Sequence, residues 1–489
     1  MKKQFTYAES LCIDVKLCYN KVYSETLETA FCAAITLHVR KGYMRRKTIL
    51  TPEQEAERAE TLRLKKQARE IRWDKLDNTA HLFPVIAGER MSNVYRISVT
   101  LKEQVDPELL QQALDIVLPK FDGFNLRLRH GVFWHYFEEN GKPAPRVKEE
   151  AKFPCRYIRP NRNNSYLFRV SYYKYRINLE VFHVLTDGMG GFNFVRELTY
   201  QYLRLRHPEI MELTGDKLSS ETTLNREDSF VKNFKKKAPK KYHTQRAYTI
   251  KGEHLHNGEF GVMHGYIPVS ELKALCKQYG VSINEYLVAA YTWSIYQEYL
   301  HGMPSKYPIR VAVPVNLRPY FNSNTTKNFF AITSAEFHPE KDQYTFEEVL
   351  QIVRESLKSQ LSGEHLEEVF SYNVSNQKQW YLKIVPLPLK GLAMRHVYSQ
   401  SALANTTTIT NVGVIDVADA YKPYIDQFHA FLAISKGQHI KGTVLSYNGT
   451  LVFTFSYDLV DPSVQRGFFR KLAQDGLHVE IESNGVHYG

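Results

Sequence analysis

The sequence predicts a mixed fold, α/β or α+β in class, built as two similar halves. Stretches that alternate apolar and polar residues give way repeatedly to stretches with helical spacing. The chain has 489 residues, more than one ordinary hydrophobic core accommodates. The same strand-and-helix grammar restarts after a lysine-rich connector.

Residues 1–72 read as an N-terminal extension, partly helical. Leu27, Phe31 and Ile35 share a helical stripe, and Thr51-Pro52 opens a helix with acids early and bases late. At Trp73 the composition changes and a first domain begins, spanning 73–235. Within it 92–102 reads as a strand. Residues 105–121 read as a helix with Pro107 near its start and a Leu109, Leu110, Ala113, Val117 face. Residues 124–140 and 167–184 read as strand pairs, the former turning at His130-Gly131. The connector, 236–252, contains Pro239 and has no periodic apolar face. A second domain, 253–489, follows, with a strand at 260–268 and a helix that ends at Gly280. Its long apolar helix has Ser282 as N-cap and Glu285 completing a capping box. Residues 308–320 read as a strand running into a loop. A hairpin turns at Asn448-Gly449, and a helix and a last strand follow.

Hydrophobic content of 43% and charged content of 24% are globular values that exclude disorder of the whole chain. The cysteines, at 12, 18, 32, 155 and 276, are odd in number and lack CxxC spacing. A disulfide framework and a zinc site are therefore not expected, and a reducing compartment fits. Glu9 and Asp14 stand where a secretory leader needs an apolar core. No run of about eighteen apolar residues suggests a transmembrane segment. The expected location is the cytoplasm. A net charge of +12 calls for an anionic partner. Nucleic acid is not expected, because no helix-turn-helix, zinc-finger or ribonucleoprotein signature is present.

The sharpest local signal lies at 175–198. Ile177, Leu179, Val181 and His183 fall on one face of a strand, and the pattern breaks at Thr186-Asp187-Gly188. Gly190 and Gly191 follow, and Phe194, Val195, Leu198 and Tyr202 then take up helical spacing. A histidine delivered to a strand end beside such a turn suits proton transfer near neutral pH. The alternative is a buried strand histidine, with Asp187 merely capping the next helix. Lys235, Lys236 and Lys237 could meet phosphate groups or belong to a solvated linker. His254 and His256 stand two apart without identifiable partners, so no metal site is expected.

His183-Val184-Leu185-Thr186-Asp187-Gly188, the Asn-Leu-Arg-Pro run at 316–319 and the helix at 280–291 together resemble the coenzyme A-dependent acyltransferase superfamily. Chloramphenicol acetyltransferase and the condensation domains of peptide synthetases belong to it. Asp77, Asn78, Ala80, Phe83 and Pro84 resemble in particular an opening of bacterial proteins described as alcohol acetyltransferases. The resemblance covers about 73–489. It implies an α+β two-layer sandwich of two chloramphenicol acetyltransferase-like subdomains with an active-site tunnel at their interface. It implies His183 as general base, Asp187 pointing away from the substrate and paired with Arg318, and Gly188 supplying a backbone angle that a β-carbon disfavours. Asn316, Thr410 and Asn411 are implied tunnel or oxyanion residues. Lys327-Asn328-Phe329-Phe330 departs from the family's glycine-asparagine-phenylalanine run by its lysine. Acyl-CoA would be a cosubstrate, with no bound cofactor, and the acceptor a small alcohol or amine. A carrier-protein thioester is the alternative donor, and a catalytically silent binding protein of the same fold the alternative role.

Overall fold

The computed structural model describes residues 73–150, 153–219, 222–234, 245–378 and 384–485. The extension at 1–72, the lysines 235–237 and most of the connector lie outside the described residues. The described residues belong to one compact unit.

The strands are β1 Trp73–Lys75, β2 Val94–Leu101, β3 Leu126–His130, β4 His135–Glu139, β5 Lys148–Glu149, β6 Phe168–Tyr173 and β7 Arg176–Phe182. The second half adds β8 Gly261–Pro268, β9 Ile309–Asn316, β10 Phe330–Phe337, β11 Thr407–Val414, β12 Ile425–Leu432, β13 Ile440–Tyr447, β14 Thr450–Tyr457 and β15 Glu480–Ser483. They form a three-stranded sheet (β1-β4-β3), a five-stranded sheet (β12-β2-β7-β6-β5) and a seven-stranded sheet (β10-β9-β11-β13-β14-β8-β15). The fold is the expected mixture of helix and sheet.

Local chemistry accounts for most of these elements. Asn448 and Gly449 take φ of 45° and 81°, the left-handed pair that turns β13 into β14 with the twist of the strands. Asp106 caps the helix Pro107–Val117 by accepting from Glu108 N and Leu109 N, and Leu110, Ala113, Leu114 and Val117 turn inward. Ser282 and Glu285 form the expected capping box on the helix Ile283–Leu300. That helix is buried over most of its circumference and forms the centre of the core against the seven-stranded sheet. A separate core lies between the five-stranded sheet and the helices Pro107–Val117 and Gly188–Arg206.

Two findings differ from what alternation suggests. Asn178 and Glu180 are as buried as Ile177, Leu179 and Val181, so β7 is covered on both faces. It is a central strand, and its polar face is neutralised by neighbours. Ser98 donates to Asn178 at 2.7 Å, while Glu180 takes Arg96, Arg169 and the amide of Cys155. Burial alone would raise the Glu180 carboxyl, yet Arg96 and Arg169 outweigh it and bring the pKa to about 2. The second finding is β12. It pairs antiparallel with β2, from Gln427 opposite Thr100 to Leu432 opposite Tyr95, and so completes the first half's sheet with residues from the second. A cut at the connector divides the chain but not the sheets. Among the described residues no helix is long and apolar enough to cross a membrane.

Candidate active site

β7 carries His183 to its end. The ladder with β2 closes at Phe182 opposite Val94, and His183 N then donates to Asn93 O at 2.9 Å. The half-buried imidazole stacks on Phe83 with centroids 4.8 Å apart and meets the edge of Tyr95 at 5.2 Å and Phe330 at 5.9 Å. Burial among these rings disfavours the imidazolium and lowers the pKa below its ordinary 6.5, although Asp187 and Asn328 pull the other way. At pH 7 the ring is neutral.

Its tautomer follows from a chain of hydrogen bonds. Asn328 Nδ2 donates to Asp77 Oδ2 at 2.8 Å and to His183 O at 3.3 Å, and Asn328 N also reaches Asp77 Oδ2 at 3.2 Å. With its nitrogen committed, the Asn328 amide presents Oδ1 to His183 Nδ1 at 3.0 Å. An amide oxygen only accepts, so Nδ1 is assigned the proton and Nε2 the lone pair. Asp77 is 2% exposed, and burial raises its carboxyl to about 6 against the lowering effect of Asn328 and the Ala80 amide. It is still ionised at pH 7, where it accepts from these donors. Both residues stand out in the sequence, but their link spans 251 positions and is not legible there.

Asp187 does not address the ring. It is the N-cap of the helix Gly188–Arg206, accepting from Met189 N and Gly190 N. Arg318 Nη2 donates to its two oxygens at 3.0 and 2.8 Å, and Phe329 N donates at 3.1 Å. Arg318 also donates to the carbonyls of Thr325 and Lys327 at 2.8 and 2.9 Å, tying the 325–329 loop to the turn. Tyr95 reinforces the turn from below by donating to Asp187 O at 2.8 Å.

The glycine that sequence singled out is not the demanding one. Gly188 has no left-handed φ, and a β-carbon there would meet nothing within 4 Å, so the expected backbone role is not needed. Gly190 is constrained, since a β-carbon would stand 1.9 Å from Thr186 Oγ1 and 2.8 Å from Thr326 O. Gly191 likewise faces Tyr95, whose hydroxyl would lie 2.5 Å away.

The remaining expected residues are more dispersed. Asn316 is exposed and gives its Oδ1 to Arg318, at 3.1 Å from N and 3.2 Å from Nη1. Asn411 accepts from Gly413 N at 2.9 Å, where β11 shifts register against β13. Thr410 is half-buried opposite Thr443. Lys327 is 4% exposed and sends its ammonium away to Asp74 at 2.8 Å and Lys75 O at 3.0 Å. Burial opposes ionisation of Asp74, but Arg226 and Lys327 outweigh it and lower the pKa. A cavity of about 10 Å³, room for one water at most, lies behind the turn between Thr186, Gly190 and Thr326. A larger one of about 370 Å³, lined by Lys102, Asp416, Lys422 and Asp426, holds none of these residues.

No protein-family model and no curated protein matches the sequence. Solved structures do match. Polyketide synthase associated protein 5 from Mycobacterium tuberculosis superposes with a TM-score of 0.54 at 15% identity, covering 83% of this chain and 97% of that one. The first condensation domain of the calcium-dependent antibiotic synthetase gives 0.52 at 12% identity, over 84% of this chain and 99% of its own. A trichothecene 15-O-acetyltransferase from Fusarium sporotrichioides gives 0.54 at 9% identity, over 82% and 94%. At these identities the likeness is one of fold, and this chain has the chloramphenicol acetyltransferase-like fold of condensation domains and acetyltransferases.

Proposed function

We propose that this protein transfers an acyl group, an acetyl group in the first instance, from coenzyme A to a small alcohol or amine, with His183 as general base. The Nε2 lone pair takes the acceptor's proton while its oxygen or nitrogen attacks the thioester carbonyl. The tetrahedral oxyanion collapses, the carbon–sulfur bond breaks, and the imidazolium returns the proton to the departing thiolate. No covalent acyl-enzyme and no bound cofactor are required. Holding both substrates against one imidazole in a passage between the lobes supplies the rest of the rate. Thr410, Asn411 and Asn316 are candidate oxyanion or lining residues, and Lys235, Lys236 and Lys237 candidate phosphate contacts.

The observation that carries this reading is the pinned Asn328 amide, which leaves Nε2 as the basic nitrogen. Asp187 and Arg318 fit as positioning residues that hold the turn, without touching substrate. A cytoplasmic location suits the free, buried Cys155 and Cys276.

The test is release of free thiol from short acyl-CoAs across a panel of alcohols, amines and sugars. Turnover is expected with at least one pair, and His183→Ala should abolish it with the fold retained. Near wild-type turnover in that variant would show that the base is wrongly assigned. The likeness along nearly the whole of a condensation domain supports a second reading, in which the thioester is on a carrier protein. Activity with an acyl carrier thioester but not acyl-CoA would select it. Thioester binding without turnover in every pairing would instead mark a silent binding protein.

A further inference from the structure

Outside the site around His183, three side chains from separate segments converge at the rim of the seven-stranded sheet. His439 lies just before β13 and Asp458 just after β14, while His254 comes from the segment leaving the connector. His439 Nδ1 is 3.0 Å from Asp458 Oδ1, and His254 Nδ1 is 3.2 Å from Asp458 Oδ2. The three donor atoms all lie within 4.8 Å of one another. We propose that His254, His439 and Asp458 bind a divalent first-row transition cation of the zinc class.

The nitrogen–oxygen separations suit such an ion, which a small rotation of the side chains would admit. Metal–nitrogen and metal–oxygen distances of about 2.1 Å place neighbouring ligand atoms about 3.0 Å apart at right angles and about 3.4 Å apart at tetrahedral angles. The observed nitrogen–oxygen separations fall at and between those values. The backbone fixes all three positions. Leu255 N donates to Asp458 O at 2.8 Å, Val460 N to Glu253 O at 2.9 Å and Asp458 N to His439 O at 3.1 Å. Without metal, each Nδ1–H donates to the shared carboxylate. Moving each ring proton to Nε2 frees both Nδ1 lone pairs and releases the carboxylate, and a small turn of the side chains then brings three ligands onto one ion.

Two imidazoles and one carboxylate favour zinc, nickel, copper or cobalt over magnesium or calcium. Side-chain exposures of 54% for His254, 28% for Asp458 and 24% for His439 give the ion a route in and leave water to complete its coordination. The site joins the segment that emerges from the connector to the β13–β14 ladder. The sequence offers no metal site here, because His439 and Asp458 are about two hundred positions from His254, and His256 is not in the cluster.

The test is titration of the chelator-treated full-length protein with Co²⁺, read by its visible ligand-field bands, and with Zn²⁺ by calorimetry. One equivalent should bind, and thermal unfolding should shift upward with Zn²⁺. His439→Ala and Asp458→Asn should each weaken binding by more than the about 10–100-fold that loss of a residue merely supporting a ligand costs. His256→Ala should bind as wild type. His254→Ala, at the most exposed position, keeps the test decisive if His439→Ala fails to fold. Absence of saturable binding by the folded wild type, or binding indifferent to the His254 and Asp458 substitutions, overturns the proposal.

Discussion

Asp77 and His183 never touch, yet the carboxylate decides which ring nitrogen is basic. Asp77→Asn replaces a pure acceptor with an amide that can donate, so the Asn328 amide loses its reason to face one way. The proposed base should then lose its fixed tautomer. We expect kcat to fall by about 10²-fold, the low end of what general base catalysis contributes, with KM little changed in steady-state assays. The pH profile has a defined sign. His183 must be neutral to accept a proton, and burial holds its pKa below 6.5, so activity should persist on acidification to below 6.5 before falling. Asp77 bears on stability in the opposite sense. Its pKa is raised from 3.8 to about 6, so the protonated form is favoured in the fold. That contribution is complete below 3.8 and is lost as pH rises through about 6, to the extent of ~3 kcal/mol. Asp77→Asn should flatten the urea-unfolding free energy between those pH values.

At the scale of elements, the turn from Thr186 to Gly191 is held by a clamp and by close packing. Asp187 and Arg318 each have 9% side-chain exposure, and removing one partner leaves the other charged and enclosed. Arg318→Ala should destabilise the protein by about 3–5 kcal/mol in denaturant titration. Gly188→Ala should leave melting temperature and activity near wild type, because open space receives the new methyl. Gly190→Ala should lower both, because Thr186 and the Thr326 carbonyl occupy that position. Much of this element could be read from the chain, since the strand, the break and the helix are consecutive. What could not be read is which glycine is crowded. That depends on Thr326, brought over the turn by contacts from the other half.

Across the whole molecule, the same division between local and distant information recurs. The Asn448-Gly449 hairpin and the Ser282–Glu285 capping box are written in adjacent residues, and both are present. β12 is not legible in the sequence because Ile425 to Leu432 does not alternate cleanly, with Phe428, Ala430, Phe431 and Leu432 crowding its end. Its partner β2 is more than three hundred positions earlier, and nothing in either stretch names the other. The first half therefore lacks an edge of its own sheet. A fragment of residues 73–234 should fail to fold, giving no cooperative melt by circular dichroism, while a fragment spanning 73–485 should melt cooperatively.

The borrowed strand also limits how the protein can move. Two lobes joined by a single tether can swing apart like a jaw, but here the second is stitched into the first along the ladder from Gln427 to Leu432. Wide gaping would unzip that seam. If the proposed acyl transfer holds, substrates must reach the imidazole through a body that stays shut, past the rings of Phe83 and Phe330 that lie against it.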